Sequence, residues 1–130
     1  MKILNLTQHA ATSGQKEMGV IDFAESDRAL LVHALTFDEL PDESTMFARA
    51  NSIAMMAAGH SSGARSAMIG GAPYFMRPLE RALWAVNIRP LYAFSIRESV
   101  ERIRADGSIE KINVFRHVGF VGTEFAEYSA

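Results

Sequence analysis

The sequence predicts an α/β domain built on a mostly parallel β-sheet. Short apolar runs typical of buried strands alternate with longer segments whose apolar residues have helical spacing. Strands separated by helices form parallel sheets, because each helix carries the chain back to the edge where the strand began. The chain ends differently, in a β-like stretch containing Asp106-Gly107, a strong signal for a hairpin turn. We therefore expect helices on both faces of the sheet and a C-terminal β-hairpin at one edge.

The first half of the chain predicts two short strands and three helices. In order, these are a strand at 2–6, a helix at 13–18, a strand at 20–23, a helix capped by Ser26 and a longer helix ending near Gly59. Thr12 stands three residues before Gln15, which is the spacing of a capping box, and Gly19 suits the end of that short helix. Asp42 or Ser44 suits the start of the longer helix, since either side chain can accept a hydrogen bond from a free backbone N–H group.

The second half predicts a strand, a glycine turn, a helix and the terminal hairpin. A strand at 67–69 leads into Gly70-Gly71-Ala72-Pro73. Pro73 suits the first turn of the following helix, because a helix leaves that backbone N–H unpaired in any case. We expect this helix to end at Asn87 and the next strand to cover 91–94, with Ser95-Ile96-Arg97 just past its end.

Composition limits the function classes. The chain has 130 residues, 48% of them hydrophobic and 22% charged, with a formal net charge of -2. This length fits one domain, which we place at residues 1–122 as a small Rossmann-like domain followed by a polar tail at 123–130. The near-zero charge argues against a polybasic protein that binds long nucleic acid. Most of the Lys and Arg residues fall in the second half, and most of those are Arg, which suits planar phosphate recognition.

Several kinds of site are excluded or not indicated. There is no cysteine, which excludes disulfides, thiol nucleophiles and cysteine-ligated metals. No His-x-x-x-His or Glu-x-x-His spacing occurs, so we expect no metal and no cofactor. No apolar run is long enough to cross a membrane, and the N-terminal apolar run is too short for a signal peptide. We expect a cytoplasmic protein without a membrane partner.

Polar or glycine-rich loops follow three of the predicted strands. They are Thr7-Gln8-His9, Gly70-Gly71 and Ser95-Ile96-Arg97. In an open α/β sheet, ligands bind beyond the carboxyl ends of the strands. If these three strands are parallel neighbours, the three loops share one crevice.

Each loop has a functional and a structural interpretation. Gly70-Gly71 ahead of a helix suits an anion, because backbone N–H groups can approach the ligand closely, but a simple tight turn uses the same residues. His9 suits a general base, or a polar loop residue that holds the backbone. Arg97 suits a phosphate group, or an ordinary surface salt bridge with Glu98 or Glu101.

The other histidines have structural interpretations. His117 follows Arg116 in the last predicted strand, where we expect a sheet-face histidine satisfied by the backbone. His33 and His60 are expected on a helix surface and in a loop.

The two ends of the chain resemble a known group of proteins. The C-terminal third reads PLYAFSIRESVE over 90–101, then Asp106-Gly107-Ser108, then VFRHVGF over 114–120. At the other end, the first strand runs into a loop that contains His9, followed by Thr12 and Gln15. These segments resemble small CRISPR-associated Rossmann-fold proteins that bind or cleave cyclic oligoadenylates, whose relatives are also carried by phages. The resemblance does not extend to the middle of the chain.

The resemblance implies a role for the three loops. A cyclic oligoadenylate carries several phosphates and is symmetric, so a homodimer is its simplest receptor. The implied ligand-binding residues are Thr7, Gln8, Gly70, Gly71 and Ser95. Cleavage needs only attack of a ribose 2′-OH on the adjacent phosphorus, with His9 as the base and Arg97 stabilising charge. Tyr74 and Tyr92 are considered for base stacking, although Tyr92 within a strand equally suits the core.

Two other functions fit the same residues. A non-catalytic sponge would bind the same second messengers and release them unchanged. A small α/β protein that binds an unrelated nucleotide, or a protein partner, would use the same fold for a different ligand.

Overall fold

The computed structural model describes residues 1–122, and the predicted polar tail at 123–130 lies outside the described residues. The helices and strands follow one another in the predicted order. They are β1 (Ile3–Leu6), α1 (Ser13–Glu17), β2 (Val20–Ile21), α2 (Glu25–Leu35), α3 (Glu43–Ala58), β3 (Ser66–Ile69), α4 (Pro73–Ala85), β4 (Arg89–Ile103) and β5 (Ile109–Gly122).

The strands form one five-stranded sheet in the order β2-β1-β3-β4-β5. β1 pairs in parallel with β2 and β3, and β3 pairs in parallel with β4. β5 pairs with β4 in antiparallel orientation. The predicted α/β class, with a mostly parallel sheet and a C-terminal hairpin, is confirmed.

The two faces of the sheet are covered unequally. Leu4 and Ala67 point to the face on which the longer helices α2, α3 and α4 pack, where the main core includes Leu31, Ile53 and Leu79. The opposite face carries a smaller core, formed by Ile3, Ala11, Val20, Met68 and Leu91 with Phe120 packed against it. Successive strand residues alternate between these cores because side chains in a strand point to opposite faces.

Local sequence signals set most helix boundaries as predicted. Thr12 and Gln15 form both hydrogen bonds of the capping box at α1, and the side chain of Asp42 accepts from the Thr45 backbone N–H at α3. The predicted Ser26 cap of α2 is wrong, since this helix starts one residue earlier, after Ala24. Ser26 then lies inside the first turn, where Glu25 and Asp27 place negative charge near the free N–H groups.

The predicted end of β4 is also wrong. β4 does not stop at residue 94 but continues to Ile103, paired with β5 along its whole length beyond Leu91. The pairing of β4 with β5 shifts register between Phe94 and Ser95, which marks a β-bulge at this point. The strands then run on as a two-stranded ribbon, residues 95–117, which closes in the turn at Asp106 and Gly107. Ser95 and Arg97 therefore lie within a strand of this ribbon and not in a loop.

The structure also bears on the expected absence of a membrane partner. Within residues 1–122, no helix has both the length and the apolar character needed to span a membrane.

Candidate functional site

A cleft opens at the carboxyl ends of the parallel strands, where the fold predicts a ligand site. Its volume is about 520 Å³, which lies in the range of small-molecule sites. The lining residues come from the loop after β1, from α1, from the β3–α4 turn and from β4. They are Thr7, Gln8, His9, Ala10, Thr12, Gln15, Met68, Ile69, Gly70, Gly71, Tyr92 and Ala93.

Two of the three predicted loops converge in this cleft. A Cβ atom placed on Gly70 would lie 3.6 Å from Cγ2 of Thr7, which is ordinary van der Waals contact. The loop of Thr7, Gln8 and His9 therefore lies directly against the glycine turn. The sequence predicted this meeting from the parallel order of β1 and β3, and the observed pairing of Leu6 with Ile69 at the strand ends is its cause.

A buried amide fixes the loop that carries His9. Asn5 is only 2% exposed, and its Nδ2 donates to the His9 carbonyl oxygen and to Asp22 Oδ1, both at 2.7 Å. Its Oδ1 accepts from the Thr7 backbone N–H at 3.0 Å and lies 2.7 Å from Thr7 Oγ1. One side chain thus satisfies backbone groups at both ends of a tight loop, which holds that loop in a single conformation.

Asp22 supports the same loop from the end of β2. Its carboxylate accepts from the Ala11 backbone N–H at 3.1 Å as well as from Asn5. Arg28 of α2 lies 3.7 Å from this carboxylate and donates to the Gln8 carbonyl oxygen at 3.3 Å. Both charges of this pair are therefore used behind the loop and do not line the cleft.

The glycine turn leads directly into the start of α4 at one end of the cleft. Gly71 has φ of 144°, a region that side chains other than glycine rarely adopt. Ala72 precedes the helix and makes no side-chain cap hydrogen bond, and Pro73 occupies the first turn. The Phe75 N–H donates to the Ala72 carbonyl oxygen at 3.0 Å, so an anion at this end of the cleft is favoured by the N–H groups of the glycine turn and by the positive end of the helix dipole.

The His9 side chain lies at the mouth of the cleft. The residue is exposed, and its ring makes no hydrogen bond to any part of residues 1–122. The residue is anchored through its backbone carbonyl, so the main chain is fixed while the imidazole is left open to a ligand. The backbone of this loop is held by the Asn5 amide and the Thr7 hydroxyl, and not by the imidazole.

Ser95 and Arg97 do not line the cleft with the other predicted site residues. Both lie on the ribbon beyond Ala93, which is the last β4 residue at the cleft wall. The guanidinium of Arg97 lies over the ring of Phe115 at 5.5 Å, a cation–π contact. The alternative salt bridge to Glu98 is also not formed, since Arg116 donates to Glu98 at 2.9 Å.

Comparison with known proteins identifies the family. The sequence matches the Uncharacterized protein MJ1673 family over residues 1–121, which includes the whole cleft and the whole ribbon. The chain belongs to the MJ1673 family. No curated protein and no solved structure matches this MJ1673-family chain significantly. Membership assigns no substrate, and the resemblance to cyclic oligoadenylate-binding proteins stays a prediction.

The two tyrosines considered for base stacking are separated in the MJ1673-family chain. Tyr92 lines the cleft, where its hydroxyl donates to Glu80 Oε2 at 2.8 Å. Partial burial, and then the hydrogen bond to the negatively charged Glu80, raise the pKa of Tyr92 above its usual range, so it stays a neutral donor. Tyr74 lies instead in a separate groove of about 430 Å³, together with Phe47 and Arg77.

Sequence reasoning missed the residues that hold the site together in this MJ1673-family chain. The sequence predicts Asn5 within one apolar strand and Asp22 within the next, at 20–23. The signal for Asn5 was present, because an amide in the middle of a buried run needs hydrogen-bond partners. Nothing in the sequence indicated that Asp22 would be one of them, since that contact joins different strands.

His117 and His60 complete the account of the histidines. His117 was expected to be satisfied by the backbone, but its two ring nitrogens are buried and have no hydrogen-bond partner within residues 1–122. Its ring instead packs edge-on against Phe120 at 4.8 Å, beside α1. His60 is structural, since its Nδ1 accepts from the Ser62 backbone N–H in the turn after α3.

Proposed function

We propose that this protein binds cyclic oligoadenylate second messengers and opens the ring by metal-independent cleavage of a phosphodiester bond. The observation that supports this most is the convergence of the His9 loop and the Gly70-Gly71 turn in one cleft. The two loops together place backbone N–H groups that can bind a phosphate next to the His9 imidazole. The cleft lining described within residues 1–122 contains no Lys or Arg, so the proposed anion contacts are made by backbone N–H groups of the Gly70-Gly71 turn.

The proposed reaction uses the ligand's own nucleophile. The ribose 2′-OH attacks the adjacent phosphorus, a new O2′–P bond forms, and the P–O5′ bond breaks. His9 takes the proton of the 2′-OH, the leaving 5′ oxygen gains a proton, and the product is a linear chain ending in a 2′,3′-cyclic phosphate. Charge on the phosphoryl oxygens is stabilised by the N–H groups beside Gly71. Because Arg97 does not line the cleft, the proposal assigns it no part in stabilising this charge.

The ligand is larger than one cleft. A site of this volume holds one or two nucleotides, so the proposal includes a homodimer in which two clefts share a symmetric ring. A cytoplasmic location and a part in CRISPR-linked antiviral defence, encoded by the host or by a phage, belong to the same proposal. The cysteine-free sequence suits a reducing compartment.

The direct test incubates the purified chain with cyclic tri-, tetra- and hexa-adenylate and separates the products by chromatography. We expect at least one ring to be converted to a linear product ending in a cyclic phosphate, in the presence of a metal chelator. His9→Ala is expected to slow turnover by about a hundredfold or more while binding is kept. His33→Ala, an exposed histidine of α2, is the matched control and should leave turnover unchanged. Absence of both binding and cleavage for all three rings would sink the proposal.

A second variant tests the place of binding. Gly70→Ala would put a methyl group against Thr7, at the junction of the two loops, without a positive φ to strain the backbone. We expect the fold to be kept and ligand affinity to fall. If Gly70→Ala binds the ligand as tightly as the wild type, the ligand does not bind in this cleft.

A binding protein without turnover is the second candidate function. The observation that favours it is the absence, within residues 1–122, of any hydrogen bond that orients the His9 ring, because an efficient base is normally held by a partner. Multiple turnovers at substoichiometric protein would exclude the sponge. Release of intact ligand after denaturation, with no turnover, would establish it. If neither result is obtained for any ring, an unrelated nucleotide or a protein partner remains as the ligand class.

A further inference from the structure

The outer edge of β5 is a free strand edge along the ribbon. β5 is the last strand of the sheet and, within residues 1–122, pairs only with β4. Beyond the bulge, the ribbon consists of two strands without a third. Two-stranded ribbons are marginally stable in water, and a long unpaired edge is a template for another strand. The ribbon also exposes large apolar side chains, since Phe115 is 71% and Ile109 is 62% exposed.

We propose that a second copy of this chain pairs with this edge, β5 against β5 in antiparallel orientation, with a two-fold axis at Asn113. The sheet would then run without interruption through both copies, and each ribbon would gain two strands. Such an interface is isologous, so every contact occurs twice. This proposed interface is inferred from the residue pattern of β5 and does not depend on the proposed activity.

The charges of β5 select this register. With Asn113 on the axis, Glu110 lies directly opposite Arg116 of the second copy, and Ile112 lies opposite Val114. Directly opposite residues of an antiparallel pair share a face, so opposite charges meet and apolar side chains meet. Within one chain, Glu110 already binds Arg102 at 2.8 Å. Glu110 also binds Arg104 of its own chain at 2.6 Å, so the carboxylate would lie between these two guanidinium groups and that of Arg116 of the second copy.

Neighbouring registers lose this match. With the axis at Ile112, the pairing would place Glu110 opposite Val114. With the axis at Val114, Arg116 would lie opposite Ile112. Either shift by one residue leaves a charge facing an apolar side chain, so only the axis at Asn113 is self-complementary for both charges.

The other face of the ribbon fits the same register. Lys111 would lie opposite Phe115 of the second copy, in reach of its ring. Arg97 already occupies one side of the Phe115 ring within the chain, 5.5 Å from its centre. Pairing would add a second cation and cover an aromatic ring that is now exposed.

The first test measures the mass of the full chain by sedimentation equilibrium across a range of concentrations. We expect a reversible dimer of twice 14.3 kDa. Glu110→Arg places like charges opposite each other in the pair, as does Arg116→Glu. Each variant alone should self-associate at least about tenfold more weakly. Glu39→Arg makes the same charge change outside the ribbon, in the exposed loop between α2 and α3, and should leave the dimer unchanged.

Mixing the two charge variants gives the decisive result. In a mixed dimer, the cation introduced at position 110 faces the anion introduced at position 116, and the unchanged Glu110 and Arg116 face each other. We expect the mixture to form a dimer that neither variant forms alone. Loss of the ribbon fold in the variants cannot produce this rescue. A monomeric wild type at all concentrations, or a mixture that stays monomeric, would overturn the proposal.

A crosslink tests the axis itself. The chain has no cysteine, so Asn113→Cys introduces the only thiol. Opposite residues at the axis have Cβ atoms about 5 Å apart, and a short bismaleimide should join two chains covalently. Ser99→Cys places a thiol on β4 and should give little crosslinked dimer. Equal crosslinking of the two variants would show that the chains meet in some other way.

Discussion

At the scale of single residues, the most consequential side chain in the site is an amide that touches no ligand. Asn5 lies at the centre of β1, and its amide holds both Thr7 and the His9 carbonyl. The cost of burying this amide is offset because both its N–H donor and its oxygen acceptor form hydrogen bonds. The position of His9 in the cleft is thus set by a buried residue that donates a hydrogen bond directly to its carbonyl oxygen.

Replacing Asn5 tests this arrangement. Asn5→Ala would leave the Thr7 backbone N–H without its partner and remove one of the donors to the Asp22 carboxylate, in a partly buried site. We expect the free energy of unfolding to fall by about 1–3 kcal/mol in urea denaturation. Asn51→Ala on the exposed surface of α3 is the control and should change stability little. Equal stability of wild type and Asn5→Ala would show that the loop is held by other contacts.

At the scale of elements, the start of α3 is set by one carboxylate. Asp42 accepts a 2.7 Å hydrogen bond from the Thr45 backbone N–H. This hydrogen bond, from the backbone and side chain of Thr45, holds the pKa of Asp42 below its usual value. Because the unfolded chain takes up the proton at higher pH than the folded one, the stabilisation is present above the unfolded pKa and is lost as the pH falls.

The substitution Asp42→Asn removes the charge at the start of α3 but keeps a side chain that can cap the helix. Asparagine still caps a helix but does not titrate. We expect the wild type to melt at a higher temperature than Asp42→Asn near pH 6, with the difference shrinking towards pH 3. Melting temperatures followed by circular dichroism across this range are the measurement. A difference that does not depend on pH would assign the effect to the shape of the side chain alone.

The ribbon shows why an element can be misjudged from sequence. The run from Leu91 to Phe94 is apolar and reads as a complete strand, whereas Ser95 to Ile103 alternates polar and apolar residues. The two parts differ because Leu91 and Tyr92 lie between β3 and β5, whereas the residues from Ser95 onwards pair with β5 and not with β3. Propensity for strand structure follows these surroundings as much as the residues themselves.

At the scale of the whole molecule, the protein consists of a packed body and a projecting ribbon that differ in stability. The body has buried strands between two cores, while the ribbon has a strand partner on one side only. We expect the amides of β1 and β3 to exchange with deuterium only on global unfolding. Those of residues 95–117 should exchange earlier through local opening.

Hydrogen exchange at two protein concentrations also links this prediction to the proposed dimer. If β5 edges pair, ribbon protection should rise with concentration while the body stays the same. Dilute protein with a ribbon as protected as β1 would contradict the division into body and ribbon.

The sequence by itself determined the α/β class, the order of the elements, most helix caps and two of the three cleft loops. Each of these follows from local patterns: apolar periodicity, capping residues, glycine turns and the rule that parallel strands end at one edge. The tertiary structure alone decided that β4 carries Arg97 away from the cleft and that Asn5 and Asp22 hold the His9 loop. These depend on which distant residues meet, and a pairing between strands far apart in the chain leaves no periodic trace in either one.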